Sequence, residues 1–291
     1  MRTQGFQLVV LMRPYQWIKN AFVFIGLLFG HTWHDQNLVI KVAVTFFAFC
    51  CVSSAVYVVN DMVDIDQDRL HPKKCRRPLA ARAIAARYAA IFAALLAMMA
   101  AGLSCYASPT VLGFVMGYAV MNVCYSLWLK HIVILDVFVI AAGFMLRILA
   151  GTKGLGIPPS QWLLLCGLML TLFLGFAKRR AEVIALPSDK KLHRNVLEHY
   201  SPVMLDTMIG ITASGLIMSY SLYSMSPDTL RIHGTANLIY TVPFVIYGVF
   251  RYIYLLYHQT GGGDPSSDLV HDPHLLVVTG VWLFSIVLLI S

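Results

Sequence analysis

The chain has 291 residues, of which 58% are hydrophobic and 12% are charged, and its mean hydropathy is +0.71. These values exclude a soluble globular enzyme and indicate a membrane protein that crosses the bilayer several times. We predict a single integral membrane catalytic domain over residues 1–291, and we attribute the formal net charge of +8 to cytoplasmic loops rather than to a nucleic-acid partner.

Long apolar stretches recur along the whole chain. A membrane-spanning helix needs about 20 mostly apolar residues, and the candidates are residues 17–34, 39–60, 86–106, 109–128, 132–151, 161–178, 205–225, 235–257 and 275–290. We therefore predict an all-α bundle of nine transmembrane helices. The N-terminal segment has no small-residue cleavage site, so we expect no removable signal peptide. The six cysteines form no CxxC pair and are interpreted as small buried hydrophobes.

The charged residues are distributed unevenly between the two sides of this predicted bundle. If the N-terminus is cytoplasmic, most of the 22 Lys and Arg lie in the N-terminal segment and in the even-numbered loops. The positive-inside rule predicts this bias for a bacterial-type inner or plasma membrane. Nearly all of the 14 Asp and Glu lie on the same side, which the rule does not explain. A functional site that faces the cytoplasm accounts for them.

The first predicted span opens with the sequence RPYQWIKN. Within it, Gln16 and Lys19 are three residues apart and can point the same way on a helix. Contact with anionic lipid headgroups and a role in substrate binding are both consistent with this segment.

The most strongly charged stretch runs from Asn60 to Arg82 and contains four aspartates followed by six Lys and Arg. If the preceding helix continues through it, Asn60, Asp64 and Asp68 recur at every fourth residue on one face, with Asp61 one position around. Like charges stacked in this way repel, and carboxylate and amide oxygens suit a hard divalent cation. We therefore predict that these four side chains form a Mg²⁺ site. The alternative is a solvated acidic helix end followed by a positive-inside loop.

Ionisable residues also precede and enter the fifth predicted span. Lys130 comes before it, Asp136 lies near its start, and Arg147 follows eleven residues later along the same face. Such residues are costly in a membrane and by default indicate a functional site or a buried partner. We predict that Lys130 and Asp136 belong to the site with Tyr125, whereas Arg147 can equally form a structural ion pair. The GTKGLG that follows is interpreted as a turn, because no strand precedes it.

The sixth predicted span ends in GFAKRRAEV. Three consecutive cations, Lys178, Arg179 and Arg180, are followed by Glu182 and a long polar loop. Lys and especially Arg bind phosphate through charge-assisted hydrogen bonds. This loop and the basic loop that contains Arg77 therefore suit a phosphate-rich ligand bound to Mg²⁺.

Two further polar loops carry no predicted site. His31 and His34 form an HTWH sequence on the opposite face, where we do not expect a metal site because carboxylates are scarce there. The last cytoplasmic loop places Asp264, Asp268 and Asp272 four residues apart. We interpret that loop as a mobile polar connector.

The motif NDxxDxxxD at Asn60 to Asp68, followed by the HP and RP of the basic loop and set among nine predicted spans, resembles the membrane-embedded UbiA prenyltransferase superfamily. The resemblance extends over most of the chain. It implies an all-helical fold, a cytoplasmic active site that opens sideways to lipid, and Mg²⁺ held by the first acidic motif. Most aromatic prenyltransferases of the superfamily carry a second DxxxD motif after the sixth span, where this chain has AKRRAE.

That departure, together with RPYQWIKN, YSLWLKHIVILDVFVIAAGFMLRILAG and FAKRRAEV, resembles the branch that attaches phosphoribose to a polyprenyl phosphate. In that branch the soluble donor is phosphoribosyl pyrophosphate (PRPP) and the lipid is the acceptor. The resemblance implies Mg²⁺-dependent transfer of 5-phosphoribose from PRPP to a polyprenyl phosphate of the decaprenyl type, with release of pyrophosphate, in cell-envelope biosynthesis.

Under this hypothesis the catalytic residues are Asp61, Asp64 and Asp68, which hold Mg²⁺ together with Asn60. The residues expected to bind substrate are Gln16, Lys19, Arg77, Tyr125, Lys130, Asp136, Arg147, Lys178, Arg179 and Arg180. Two alternatives stay open: UbiA-type transfer from a prenyl diphosphate to an aromatic or other small acceptor, and a non-enzymatic lipid transporter or scaffold. The sequence does not define the prenyl chain length, and it leaves a homo-oligomer open.

Overall fold

The computed structural model describes residues 4–70, 74–185, 195–258 and 271–290. Within these four ranges the chain forms helices and connecting turns and no β-strand, which confirms the all-α fold class. The α-helices are α1 (Gln4–Met12), α2 (Ile25–Phe29), α3 (Gln36–Val63), α4 (Ile65–Leu70), α5 (Ala86–Ala107), α6 (Pro109–Leu127), α7 (Leu135–Gly151), α8 (Gln161–Ile184), α9 (Pro202–Met225), α10 (Pro227–His233), α11 (Val242–His258) and α12 (Pro273–Ile290). The 3₁₀ helices are Pro14–Phe24, Lys74–Arg76, Leu129–His131, Lys153–Leu155, Asn195–His199 and Asn237–Thr241.

Eight helical segments in the described ranges are long and apolar enough to cross a membrane. They are Gln36–Val63, Ala86–Ala107, Pro109–Leu127, Leu135–Leu155, Gln161–Ile184, Pro202–Met225, Asn237–His258 and Pro273–Ile290. The chain is therefore an integral membrane protein. Each of these segments coincides with one of the predicted spans.

The first predicted span, residues 17–34, has a different structure. It falls on the 3₁₀ helix Pro14–Phe24 and the short α2 that follows, so no single long α-helix forms there. The break begins at Arg13, which has a left-handed backbone with φ 53°. A proline disfavours the α conformation in the residue before it, and Arg13 precedes Pro14, so the chain cannot continue straight from α1.

The helix starts follow from local capping. At the start of α3, the side chain of Asp35 accepts a hydrogen bond from the backbone N–H of Leu38 at 3.2 Å. Ser108, Ser201 and Ser226 cap α6, α9 and α10 in the same way, and a proline follows each of them. Such caps satisfy N–H groups that a helix start leaves without partners. The polar turn residues between apolar runs therefore fix where these helices begin.

The chain divides into two compact units. The first comprises Met1–Leu27, Thr32–Lys130 and Leu146–Ile157, and the second comprises Leu28–His31, His131–Met145 and Pro158–Ser291. In the first unit, α3 packs along α5 and α6 around a buried cluster that includes Phe49, Val115 and Tyr118. In the second unit, α8 packs along α9, and α11 packs along α12. The acidic motif belongs to the first unit, and the AKRRAE segment belongs to the second.

Two glycines allow a close backbone approach inside the first unit. A Cβ atom on Gly151 would lie 1.9 Å from the carbonyl oxygen of Val23, and one on Gly26 would lie 2.3 Å from the carbonyl oxygen of Gly151. A side chain fits at neither position without a backbone shift. After Gly151 the chain turns through the 3₁₀ helix Lys153–Leu155 to Gly156, whose φ is 82°. GTKGLG thus forms a turn in the structure.

We expect Gly151→Ala to destabilise the protein by about 1–3 kcal/mol, because the added methyl group overlaps backbone atoms that have no rotamer to change. Unfolding in detergent, followed by intrinsic fluorescence, measures this effect. Gly113→Ala is the matched control, since nothing lies within 4 Å of a Cβ at that helical position, and we expect it to be neutral or stabilising. Equal losses in the two variants would contradict the close approach.

Candidate active site

The acidic motif lies in the first unit, where α3 ends and α4 begins. Helical hydrogen bonding continues across the break: the N–H of Asp64 donates to the carbonyl oxygen of Asn60 at 3.0 Å, and the N–H of Asp68 donates to that of Asp64 at 2.8 Å. Asn60, Asp64 and Asp68 therefore follow one another at helical spacing. Asp61 lies on the same helix with its side chain only 2% exposed.

Two arginines neutralise the two most buried carboxylates of the motif. Arg13 donates a hydrogen bond to Asp61 at 2.5 Å. Arg77 bridges Asp61 at 3.0 Å and Asp68 at 2.6 Å. A carboxylate is costly to bury unless it is paired and hydrogen-bonded, and charge-assisted bonds to arginine meet that requirement. The predicted site residue Arg77 thus lies within the acidic motif.

Asp64 has a different set of partners. Lys130 donates to one of its carboxylate oxygens at 3.2 Å, and the side-chain amide of Asn60 donates to the other at 3.2 Å. The hydroxyl group of Ser126, near the end of α6, donates to the amide oxygen of Asn60 at 3.1 Å. The predicted site residue Lys130 therefore also contacts the motif, although 66 residues separate it from Asp64 in the sequence.

The chemistry of the motif fits Mg²⁺, since carboxylate and amide oxygens are hard ligands. In the described ranges, however, no three His, Cys, Asp or Glu side chains converge closely enough to hold a metal ion. In this arrangement Arg77 contacts both Asp61 and Asp68, and Lys130 contacts Asp64. Metal binding by this motif stays a prediction.

Arg13 is the site candidate that the sequence analysis missed. Besides its bond to Asp61, its guanidinium carbon lies 5.0 Å from the ring centre of Tyr57. Its left-handed backbone is a conformation that costs of order 1–3 kcal/mol and that clusters at functional sites. The available signal was a cation directly before the helix-breaking Pro14. Its partner lies 48 residues away, so no local spacing identifies it.

Three other predicted substrate-binding residues, Gln16, Lys19 and Tyr125, are half-buried in the first unit. The segment that carries Gln16 and Lys19 is anchored to α3, because the indole N–H of Trp17 donates to the hydroxyl oxygen of Ser54 at 3.1 Å. The proposed contacts of these three residues with substrate stay predictions.

Arg147 forms a separate buried network in the first unit. Its Nε donates to the amide oxygen of Asn20 at 2.7 Å, and its Nη2 donates to the hydroxyl oxygen of Tyr118 at 3.0 Å. The guanidinium group also lies over the rings of Tyr118 and Phe49, at 4.5 Å and 5.5 Å from their centres. These neighbours suit a structural role, and substrate binding by Arg147 stays a prediction.

Asp136 lies in the second unit and is fully buried. Arg179 approaches one of its carboxylate oxygens at 2.7 Å, and the hydroxyl group of Tyr200 donates to the other at 2.7 Å. Arg179 also pairs with Glu182. The Tyr200 oxygen accepts the N–H of Ile134 at 2.6 Å, whose backbone is left-handed with φ 70°. Burial, and then the bond to Asp136, raises the pKa of Tyr200, so its hydroxyl group stays a donor.

Arg180 is buried in the second unit beside other groups. It pairs with Asp206, donates to the carbonyl oxygen of Leu256 at 3.3 Å, and lies 3.8 Å from the ring centre of Tyr257. Lys178 is half-buried. The three consecutive cations thus differ in their surroundings, and phosphate binding by them stays a prediction.

Asp264 and Asp268 lie outside the described residues, whereas Asp272 has a defined role at the start of α12. Arg251 donates two hydrogen bonds to it, at 3.2 Å and 2.8 Å, and the N–H of Leu275 donates to it at 2.8 Å. The bond to Arg251 lowers the pKa of Asp272 below its ordinary value. Asp272 is therefore a helix cap as well as an ion-pair partner.

We expect the charge of Asp272 to make stability depend on pH. Because the pKa of Asp272 is lower in the folded protein than in the unfolded chain, its ionised side chain stabilises the fold at pH values above the ordinary aspartate pKa. This stabilisation is lost as the pH falls through the lowered pKa of the folded state. The Tm of Asp272→Asn, which can still cap, should lie below that of the unaltered protein near neutral pH and converge with it in acid. Asp228→Asn is the control, since Asp228 is exposed and 3.9 Å from Arg231. A difference in Tm that does not change with pH would contradict this assignment.

His31 and His34 have separate neighbours. In the second unit, the ring of His31 lies 6.2 Å from that of His233. In the first unit, the indole N–H of Trp33 donates to Nε2 of His34 at 2.9 Å. The structure assigns neither histidine to the acidic motif.

Long apolar helices and a buried, charge-balanced acidic motif define a polytopic membrane protein with a polar site at its helix ends. A family model described as the UbiA prenyltransferase family matches residues 20–268. The chain belongs to the UbiA prenyltransferase family. This confirms the resemblance drawn from NDxxDxxxD, and with it the prediction that the chain is a transferase enzyme.

Similar proteins cover nearly the whole chain. A decaprenyl-phosphate phosphoribosyltransferase of Corynebacterium glutamicum is 34% identical over 97% of this chain and 86% of its own length. One of Mycolicibacterium smegmatis is 30% identical over 96% of this chain and 91% of its own length. A UbiA homolog from Archaeoglobus fulgidus bound to DMAPP and Mg²⁺ has a TM-score of 0.73 and 16% identity, and the match covers 98% of this chain and 99% of that one. That structure shows the shared fold.

Proposed function

We propose that the chain transfers 5-phosphoribose from PRPP to the phosphate group of a polyprenyl lipid and releases pyrophosphate. The observation that carries this proposal is the similarity to two relatives named decaprenyl-phosphate phosphoribosyltransferase, which are 34% and 30% identical to this chain over nearly its whole length. The AKRRAE segment also supports the proposal. It stands where a second acidic motif would be expected in an enzyme that uses a prenyl diphosphate as its donor.

Asn60, Asp61, Asp64 and Asp68 supply the oxygen ligands that would hold Mg²⁺. A homolog of this fold that is bound to Mg²⁺ and DMAPP supports a divalent metal for this chain. Bound there, Mg²⁺ would neutralise the negative charge that develops on pyrophosphate as it leaves.

The cations of the motif have the complementary task. Arg77 and Lys130 hold the carboxylates in the described arrangement, and their N–H groups would bind phosphate oxygens once the carboxylates take a metal ion. Arg77 offers a planar fork of donors and Lys130 a compact charge. Lys19 and Gln16 would help to hold the lipid phosphate or the donor.

The bond changes require little proton transfer. An oxygen of the lipid phosphate forms a bond to the anomeric carbon of the ribose, while the bond from that carbon to the pyrophosphate oxygen breaks. Because the lipid phosphate is already anionic near neutral pH, no strong general base is needed. The enzyme would act mainly by positioning the reactants and by balancing charge.

The orientation in the membrane follows from the charge bias of the sequence. The acidic motif and most Lys and Arg share one side, which would face the cytoplasm of a bacterial-type inner membrane. The soluble donor would reach the site from that side, and the lipid acceptor would reach it from the bilayer.

The test uses purified protein in detergent with Mg²⁺, radiolabelled PRPP and decaprenyl phosphate. We expect label in the organic-extractable lipid and none after addition of EDTA. The parallel reaction offers a prenyl diphosphate with 4-hydroxybenzoate. Product from that pair alone would show conventional prenyl transfer and overturn the proposal, and no product from either pair would favour the transporter or scaffold alternative.

A further inference from the structure

A small pocket lies in the first unit at the ends of two membrane-spanning helices. The span of α3 ends at Val63 and that of α5 begins at Ala86, and the pocket is lined by Ile65 on α4 and by the turn that leads into α5. Its volume is about 330 Å³, near the lower end of the range of about 300–1,000 Å³ that is usual for ligand pockets. It therefore suits a compact group at the depth of the lipid headgroups.

The lining of this pocket combines apolar side chains with two cations. Leu79 and Ile84 line it, and both belong to a buried apolar cluster of the unit. Arg69 on α4 and Arg82 in the turn before α5 line the same pocket. Two guanidinium groups beside apolar side chains match a phosphate group that is attached to a lipid backbone.

Both arginines have donors available for a ligand. No carboxylate of a described residue forms an ion pair with Arg82. Arg69 pairs with Asp66 at 2.9 Å, but the Asp66 side chain is 92% exposed, and an exposed pair of this kind contributes little energy. A phosphate group can therefore bind both arginines without breaking a buried ion pair.

The pocket is separate from the acidic motif. Asn60, Asp61, Asp64 and Asp68 do not line it. Arg77 does not line it either, because its guanidinium group pairs with two of those aspartates. The pocket thus offers a second place for an anion on the same unit.

The backbone at Arg82 indicates that its side chain has a role of its own. Its φ is 57°, a left-handed conformation that favours glycine over residues with a Cβ atom. The N–H of Arg82 donates to the carbonyl oxygen of Leu79 at 3.1 Å, and the N–H of Ala83 donates to that of Pro78 at 2.8 Å. These backbone bonds close the turn without the arginine side chain, so glycine would serve the turn better.

We propose that this pocket binds the phosphate group of an anionic phospholipid. The phosphate accepts hydrogen bonds from Arg69 and Arg82, the glycerol backbone contacts Leu79 and Ile84, and the acyl chains extend into the bilayer beside α5. The position at two span ends favours a lipid, because anionic headgroups are concentrated at that depth and attract basic residues there. A soluble phosphate ester has the same phosphate chemistry and is the competing ligand.

The first test measures stabilisation by lipid. The Tm of the purified protein in a non-ionic detergent is followed as dioleoyl phosphatidylglycerol, dioleoyl phosphatidylcholine or glycerol 3-phosphate is added. We expect only phosphatidylglycerol to raise the Tm, and to do so saturably. Arg69→Gln and Arg82→Gln should each weaken its apparent affinity about tenfold, the loss of one charge-assisted hydrogen bond. Arg87→Gln is the matched control, since it removes an equal charge from an exposed residue that does not line the pocket.

Arg82→Gly separates lipid binding from the stability of the turn. Without lipid, its Tm should be about 1–3 °C above that of the unaltered protein, because the left-handed backbone no longer carries a Cβ atom. The increase in Tm on adding phosphatidylglycerol should be at most half of that in the unaltered protein. A lower Tm without lipid, together with a full response to lipid, would assign Arg82 a structural role and overturn the proposal.

Photolabelling tests the position of the headgroup. The probe is a phosphatidylethanolamine whose amine is acylated with a diazirine reagent, so that the headgroup carries a net negative charge. We expect label within residues 65–86 of the unaltered protein and of Arg87→Gln, and its loss in the double variant Arg69→Gln with Arg82→Gln. Label elsewhere, or equal affinities in Arg82→Gln and Arg87→Gln, overturns the proposal. A Tm increase with glycerol 3-phosphate as large as that with phosphatidylglycerol assigns the pocket to a soluble phosphate and also overturns it.

Discussion

Asp64→Asn is expected to lower the rate of phosphoribosyl transfer by about 100-fold or more, the size of effect found when one preorganised electrostatic group is removed from an active site. The side chain of Asp64 is 15% exposed, and its side-chain partners among the described residues are Lys130 and Asn60. Asparagine keeps the shape and one hydrogen-bonding oxygen but removes the charge that a Mg²⁺ ion would require. The fold should tolerate this change, because the amide oxygen of the new side chain can still accept a hydrogen bond from Lys130.

The matched control is Asp66→Asn in the adjacent turn. Asp66 belongs to the same acidic stretch, but its side chain is 92% exposed and its described partner is Arg69. We expect its rate within about twofold of the unaltered protein, as for an exposed ion pair of little energetic value. Initial rates at saturating PRPP and Mg²⁺, together with Tm in detergent, measure both variants. Full activity in Asp64→Asn, or equal losses in the two, would contradict the assignment of the motif.

The spacing of the acidic motif was predictable from the sequence, because it depends only on helical hydrogen bonds between residues four apart. Asn60, Asp64 and Asp68 are one helical turn apart, and the backbone bonds across the break at Asp64 preserve that spacing. The spans were predictable for the same reason, since each is a single apolar run. The exception at residues 17–34 also has a local cause, because Pro14 alters the backbone of Arg13 before the apolar run begins.

The partners of these residues were not predictable from spacing. Arg13 reaches Asp61 across 48 residues, and Arg147 reaches Asn20 across 127. In a chain with 22 Lys and Arg, charge alone does not select the partner, because tertiary packing decides which cation meets which acid. The face shared by Asp136 and Arg147 illustrates the limit: Asp136 pairs with Arg179 in the second unit, and Arg147 bonds to neutral groups in the first.

Arg179→Met is expected to destabilise the protein by about 3–5 kcal/mol, the cost of breaking a buried ion pair by removing one partner. Arg179 and Asp136 have side chains that are 3% and 0% exposed. Without the guanidinium group, Asp136 keeps only the neutral hydroxyl group of Tyr200 as its described side-chain partner. The free energy of unfolding, measured by SDS titration in mixed micelles, reports this loss.

The double variant Arg179→Met with Asp136→Leu distinguishes an uncompensated charge from a packing defect. Removing both charges should recover most of the loss, because an apolar pair of similar volume replaces a buried ion pair at little or no cost. Glu182 also loses its ion pair with Arg179, but this loss should cost less, because the Glu182 side chain is 30% exposed and water can solvate its charge. Arg231→Met serves as the control, because Arg231 is 81% exposed and lies 3.9 Å from Asp228. A double variant less stable than Arg179→Met would mean that side-chain volume, and not charge, dominates at this position. If the double variant instead recovers most of the lost free energy of unfolding, the charge of Arg179 stabilises the second unit by balancing Asp136. That role would not depend on whether the neighbouring Lys178 and Arg180 bind phosphate.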